Sequence, residues 1–151
     1  MFRWKLVTPD LSKYRTILVF DFGIRRIGVA IGQDITGTGS PVGVVSNSND
    51  GVDHAAIKSI IQEWDPTNIV VGMPIHTDGS PSKMQEKVES FIEELRRYKL
   101  DIDTVDERYT SIEAKKALKM ARAAGTRGRV SKEMIDSAAA VFIAERYLSS
   151  G

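Results

Sequence analysis

Three places along the chain carry carboxylates where an acid has no plain structural use. Asp21 closes the apolar run Ile17-Leu18-Val19-Phe20, Asp106 and Glu107 open the triplet Asp106-Glu107-Arg108, and Asp136 stands inside Ile135-Asp136-Ser137-Ala138-Ala139-Ala140. An acid at the end of a buried strand costs free energy unless something pairs with it. Acids gathered from distant parts of one chain repel each other unless a divalent cation sits among them. The chemistry open to such a cluster is a metal ion held against a nucleic-acid phosphate.

Composition narrows the alternatives. The 151 residues contain no cysteine, which excludes a disulfide framework, a thiolate zinc site and a cysteine nucleophile. His54 and His76 are the only imidazoles and lie in unrelated segments, so a metal here needs carboxylate oxygens, which suits Mg²⁺ or Mn²⁺. The net charge is +1, so a nucleic-acid partner must be met by a local basic patch. Arg25 and Arg26 follow Asp21, and Arg122, Arg127, Arg129 and Lys132 cluster around Gly125 and Gly128. A flexible basic loop of that kind, beside an acidic metal site, is suited to a phosphate backbone. The first residues lack the apolar core and cleavage site of a secretory signal, and no run is long enough to span a bilayer. The expected location is the cytoplasm, with no membrane partner.

The elements that must position these acids follow from periodicity. Residues 1–15 read as an irregular extension, and residues 16–151 as one domain. Thr16–Phe22 is nearly all apolar and reads as a central strand covered on both faces. A turn over Gly23–Arg26 returns it as an antiparallel strand over Ile27–Gly32. Gln33–Ser40 reads as a loop, and Pro41–Ser46 as a third strand whose proline fits an edge. A helix over Asp50–Trp64 shows Val52, Ala55, Ala56, Ile60 and Ile61 on one face and is stopped by Pro66. A short buried strand covers Asn68–Gly72, followed by a loop over Met73–Ser82. A helix over Ser82–Tyr98 turns Met84, Val88, Phe91, Ile92 and Leu95 inward, and a strand covers Asp101–Asp106. Thr110 and Glu113 form a capping box for a helix to about Ala123, and Ser131 caps a last helix reaching about Leu148.

The expected fold is therefore α/β: a mixed five-stranded sheet with helices on both faces. Its first three strands form an antiparallel meander, and its last two, reached through helical crossovers, lie parallel to the first. In such sheets functional groups collect beyond the carboxyl ends of the parallel strands. That rule gathers Asp21, the loop after Gly72 and Asp106-Glu107-Arg108 on one edge. Alanines after Asp136 let the last helix lie close and bring that acid toward them. Taken singly, Asp21 could cap a turn, Asp106-Glu107-Arg108 could be a surface ion pair, Asp136 a solvated helix residue and the arginines a solvated loop. Adjacent strand residues face opposite ways, so only one of Asp106 and Glu107 can point at a metal, and the spacing does not choose.

Four segments carry a family resemblance. Asp21-Phe22-Gly23-Ile24-Arg25-Arg26-Ile27-Gly28-Val29-Ala30 resembles the first motif of the YqgF family, also called RuvX, of Holliday-junction-resolvase-like or pre-16S rRNA nucleases. Val71-Gly72-Met73-Pro74 followed by Asp78-Gly79 is similar to its second motif, Val-Gly-Leu-Pro then Asp-Gly. Asp106-Glu107-Arg108-Tyr109-Thr110-Ser111 resembles its Asp-Glu-Arg-Leu-Thr-Thr, and Ile135-Asp136-Ser137-Ala138-Ala139 its Ile-Asp-x-x-Ala-Ala. The match runs in order from Thr16 to Leu148. Met73, Tyr109 and Ser111 depart from it without removing an acid.

The resemblance implies an RNase H-like fold and metal-dependent phosphodiester hydrolysis. By carry-over Asp21, Glu107 and Asp136 are the metal-binding and catalytic acids. Asp21 would bridge two Mg²⁺ or Mn²⁺ ions about 3.5–4 Å apart, with Glu107 and Asp136 holding one each. Arg25, Arg26, Arg108, Arg127 and Arg129 would guide the backbone. The implied task is maturation of the 5′ end of 16S rRNA, on structured RNA or ribosomal assembly intermediates. The rival is Holliday junction resolution on branched DNA, for which a dimer would serve; monomer and homodimer both stay open. Two readings from other classes remain. In one, the chain is an actin-like ATPase, disfavoured because 151 residues supply only one half of the nucleotide clamp. In the other, it is a non-catalytic RNA-binding assembly module.

Overall fold

A computed structural model describes residues 14–74, 82–106 and 132–150, the last segment with side chains from Ser137 onward. The chain forms β1 (Thr16–Asp21), β2 (Arg26–Gln33), β3 (Thr38–Ser48), β4 (Gly51–Val52), α1 (His54–Trp64), β5 (Asn68–Met73), α2 (Gln85–Leu95), a 3₁₀ turn (Arg96–Tyr98), β6 (Asp101–Asp106) and α3 (Lys132–Ser150). The extension over residues 1–13, the helix expected from Thr110 and the basic connector before Val130 lie outside the described residues.

β1 organises the rest. Ile17, Leu18, Val19 and Phe20 are all at 0 % exposure, as an uninterrupted apolar strand requires. Each such side chain contributes about 1.5–3 kcal/mol on burial. β1 pairs antiparallel with β2 and parallel with β5, and β5 pairs parallel with β6. Alternation splits the core in two. Leu18 and Phe20 join Ile27, Val29, Ile69 and Val71 under α1 and α2. Ile17 and Val19 join Ala30, Val70, Ala140, Ile143 and Ala144 under α3.

The sheet has six strands, in the order β4-β3-β2-β1-β5-β6, where five were expected. β3 runs further at both ends than Pro41–Ser46. The extra strand arises because Gly51, at φ 105°, lets the chain double back so that Ser48 pairs with Gly51 and Asn47 with Val52. This displaces the start of α1 from Asp50 to His54. Asp53 is the N-cap, its side chain accepting from the Ala56 N–H at 3.1 Å. The buried centre of α1 is Ile57, which the expected stripe omits, while Ala55 is exposed. Pro41 lies at a bulge between Val29 and Ala30, on the stretch of β3 that β4 does not cover, so its edge character is real. α2 begins at Gln85 and tightens into the 3₁₀ turn, closed by Lys99 at φ 58°.

α3 lies close on the sheet because both surfaces are small. Ala140 and Ala144 are fully buried on the helix. Opposite them, a Cβ at Gly39 would stand 3.0 Å from the Val141 carbonyl oxygen and 3.1 Å from the Ala144 methyl. At the end of the helix, a Cβ at Gly32 would meet Leu148 at 3.2 Å. A polar clamp holds this same end. Arg15 donates through Nε to Asp34 at 2.9 Å and through Nη1 to the Tyr147 hydroxyl at 3.2 Å, and Tyr147 donates in turn to Asp103. The hydrogen bond to Asp103, reinforced by burial, raises the Tyr147 pKa. The hydrogen bond from Arg15 lowers that of Asp34, against a smaller opposing effect of burial.

Two outcomes follow. Gly39→Val forces α3 off the sheet and lowers unfolding free energy by about 1–3 kcal/mol, read from urea denaturation. Asp34→Asn costs less, under about 1 kcal/mol, because the ion pair is partly solvated. Since folding lowers the Asp34 pKa, the pair's contribution is complete above the unfolded value near 3.8 and is lost as pH falls through the folded value. The stability gap between wild type and Asp34→Asn is therefore present at pH 7 and closes below about pH 4.

Candidate active site

The carboxyl ends of β1, β5 and β6 finish on one edge of the sheet, at Asp21, Met73 and Asp106. Alternation along β1 puts Asp21 on the α3 face with Ile17 and Val19. It is half-buried, and it is engaged in interactions within the protein.

Its lateral neighbours on that face are small. Gly28 is its register partner on β2. On β5, Gly72 is one step beyond the Phe20–Val71 pair, and it has the parity of Val70, which packs under α3. Gly72 in turn pairs with Val105. Across the end of the sheet the row thus reads Gly28, Asp21, Gly72, Val105, and the carboxylate is its one polar side chain. Asp21 thus stands between two glycines, both of them buried.

The same alternation separates the two acids at the end of β6. Ile102 packs under α1 and α2, whereas Val105 packs under α3 and Asp103 accepts from Tyr147 of α3. Asp106 has the parity of Ile102 and so belongs to the face away from Asp21. Like Asp21, it is half-buried and engaged within the protein.

The turn after Asp21 is fastened on two sides. Phe22 points to the other face, its ring 5.2 Å from that of Phe91, which also meets Phe20 edge-on at 5.4 Å. From β3, the Asn47 side-chain amide donates to the Gly23 carbonyl at 2.9 Å, and the Asn47 backbone N–H donates to the Arg25 carbonyl at 2.9 Å. The turn is also tight in itself: a Cβ on Gly23 would lie 2.4 Å from the Arg26 carbonyl oxygen. Asn47 was not legible as a site residue. Its signal is the polar run Ser46-Asn47-Ser48-Asn49, over which β3 continues to Ser48, past the expected end at Ser46.

Of the residues expected to bind phosphate, Arg25 is exposed on the turn and Arg26 is half-buried at the start of β2. Glu107, Arg108, Arg127 and Arg129 lie outside the described residues, and Asp136 is described only as a backbone position in α3. Among the described residues no group of three or more potential ligands gathers, so the site as described consists of Asp21 and its setting. A carboxylate in this position supplies the hard oxygen ligand that Mg²⁺ or Mn²⁺ takes. Among the same residues no helix is long and apolar enough to cross a membrane.

Comparison with known proteins gives a consistent set. The sequence profile of the family described as "RuvX: Holliday junction resolvase" matches residues 15–150. Relatives from Burkholderia lata and Burkholderia ambifaria, each provisionally named a pre-16S rRNA nuclease, are 40% identical over 134 residues, covering 88% of this chain and 88% of theirs. One from Paraburkholderia xenovorans, with the same name, is 37% identical over 134 residues, covering 88% of this chain and 87% of its own. Among solved structures, Thermus thermophilus RuvC bound to a Holliday junction substrate superposes with TM-score 0.56 at 10% identity, over 90% of this chain and 94% of that one. Fowlpox virus resolvase with Holliday junction DNA gives 0.52 at 12%, over 89% and 97%. At such identities the two structures speak to fold alone, and they place this one among RNase H-like resolvase folds.

Asn47→Ala removes the side-chain tie to Gly23 and loosens the turn that follows Asp21. The expected loss is about 1 kcal/mol in urea unfolding, with Asn47→Asp recovering little because its carboxylate would face the Gly23 carbonyl.

Proposed function

The chain belongs to the RuvX family, and from that premise we propose that it is a metal-dependent endonuclease acting on structured RNA at the 5′ end of precursor 16S rRNA. The observation that carries this reading is the placement of Asp21: a carboxylate at the tip of a fully buried strand, on the α3 face, flanked by two glycines. A carboxylate there is well suited to a hard cation.

We assign the remaining ligands from topology. Asp106 lies on the face away from Asp21, so of this pair we assign Glu107 as the ligand. The C-terminal end of α3 lies over the start of β1, where Leu148 approaches Gly32 and Tyr147 is bonded to Arg15. Asp136 belongs to the first turns of α3, the helix packed on the same face of the sheet as Asp21, and we assign it as the third ligand on that ground.

Bound divalent cations would supply a water nucleophile at neutral pH and offset charge at the leaving oxygen. The protein's own part is to hold and orient. Asp21, Glu107 and Asp136 hold the cations, and the fastened turn fixes Asp21. Arg25 and Arg26, with Arg108, Arg127 and Arg129, bind the flanking phosphates. Processing of rRNA implies work in the cytoplasm, on assembly intermediates of the small ribosomal subunit, by a monomer or a homodimer.

The test is cleavage of a precursor 16S rRNA 5′ segment and of a four-way DNA junction, each with Mg²⁺ or Mn²⁺ and with EDTA. RNA cleavage that needs metal and falls at least about 100-fold in Asp21→Asn is expected. Faster cutting of the junction would transfer the activity to branched DNA, and an Asp21→Asn variant as fast as wild type would remove Asp21 from the site.

A further inference from the structure

A second feature lies beside Asp21 but on the opposite face of the sheet. The turn after β1, the β3–β4 hairpin and one side of α2 enclose an open groove of about 860 Å³. Phe22 and Ile24 contribute from the turn, Ser46–Asn49 from the hairpin, and Lys87, Ser90 and Glu94 from α2. Phe22 is the residue next to Asp21, so whatever occupies the groove reaches the carboxylate by crossing the fastened turn.

The lining selects for a polyanion with hydrogen-bonding edges. Arg25 and Lys87 are both exposed, and their charged groups form no ion pair among the described residues. Glu94 is the one acid of the lining and is already engaged, its Oε1 2.7 Å from His54 Nε2. The other ring nitrogen of His54 lies 2.6 Å from the Tyr98 hydroxyl, which fixes the imidazole beside Glu94. The side chains of Ser46, Asn49 and Ser90 have no hydrogen-bond partner among the described residues. Ile24, 60% exposed at the rim, offers an apolar surface to a base.

The lining favours an unpaired strand, because that is the form in which amide and hydroxyl side chains can reach base edges.

We propose that this groove seats a short single-stranded RNA segment flanking the scissile phosphodiester, with Arg25 and Lys87 on its phosphates and Ser46, Asn49 and Ser90 on its bases. The inference rests on the nuclease reading for its substrate, but it is tested by binding alone. Single-stranded selection would make the protein cut where paired and unpaired RNA meet.

The experiment uses the full chain in EDTA and measures fluorescence anisotropy with two labelled RNAs, one hairpin with a single-stranded 5′ extension and the same hairpin with a blunt end. Wild type should bind the extended RNA at least about tenfold more tightly than the blunt one, and Lys87→Glu should bring the ratio of the two affinities to within about twofold. Lys87→Ala should lower the salt slope for the extended RNA by about 0.7. An unchanged urea midpoint shows that the variants are folded. Equal affinity for the two RNAs in wild type, or a preference that survives Lys87→Glu, overturns the groove assignment, whatever the cleavage assay gives. The preference with no cleavage in any metal would instead sustain the groove and sink the nuclease reading.

Discussion

Everything in this fold depends on the burial of β1. Four consecutive side chains at zero exposure leave no polar group until Asp21, so the strand must have neighbours on both edges and cover on both faces. β2 and β5 supply the edges, α1 and α2 one face, and α3 the other. The carboxylate appears at the first position where that enclosure ends. A charge one residue earlier would be buried among apolar groups at a cost of several kcal/mol. The apolar run therefore sets the position of the acid along the strand as well as holding the sheet together.

How much of this was legible follows from the range of the interactions involved. β1 and β6 can be read off the chain because a buried strand and a strand between turns are local patterns. β6 has the expected bounds, and β1 differs only at Phe22, which packs on Phe91 beyond the last strand residue. β4 was not legible, since two residues at a positive-φ glycine have no periodicity of their own. Nor was Asn47, whose importance lies in bonds to carbonyls more than twenty positions away. The face of Asp106 needed the pairing register: parity within β6 is visible in sequence, but which parity faces α3 emerges only when Tyr147 meets Asp103 and Val105 packs with the cluster under α3.

α3 illustrates a division of labour along one helix. Its C-terminal half is fastened by close packing over Gly32 and Gly39 and by the chain of Asp34, Arg15, Tyr147 and Asp103. None of these residues is near the tip of β1. Their role is to fix the helix axis at one end, so that its first turns come to a defined height above the sheet. The alanines after Asp136 allow the close approach, as the sequence implied, but the glycines on the sheet are equally needed. A β-branched residue at either would lift the whole helix, including the acid some 18 Å away.

The tip of β1 also shows how alternation joins two tasks in adjacent residues. Asp21 faces α3 and Phe22 faces α2. The first stands between two glycines; the second is locked into an aromatic cluster with Phe20 and Phe91. Because the two share one backbone, the packing of Phe22 limits the freedom of Asp21 without occupying any of its space. The turn that follows is tied by Asn47 to the strand that also forms the wall of the groove. Position at the acidic tip and shape of the groove are thus set by the same few contacts. A nucleic-acid strand bound on the α2 side would be aligned with the acid on the α3 side through the turn alone. That coupling requires a rigid turn, and the tight approach of Gly23 to the Arg26 carbonyl, which excludes any side chain there, is the physical reason the turn has little room to move.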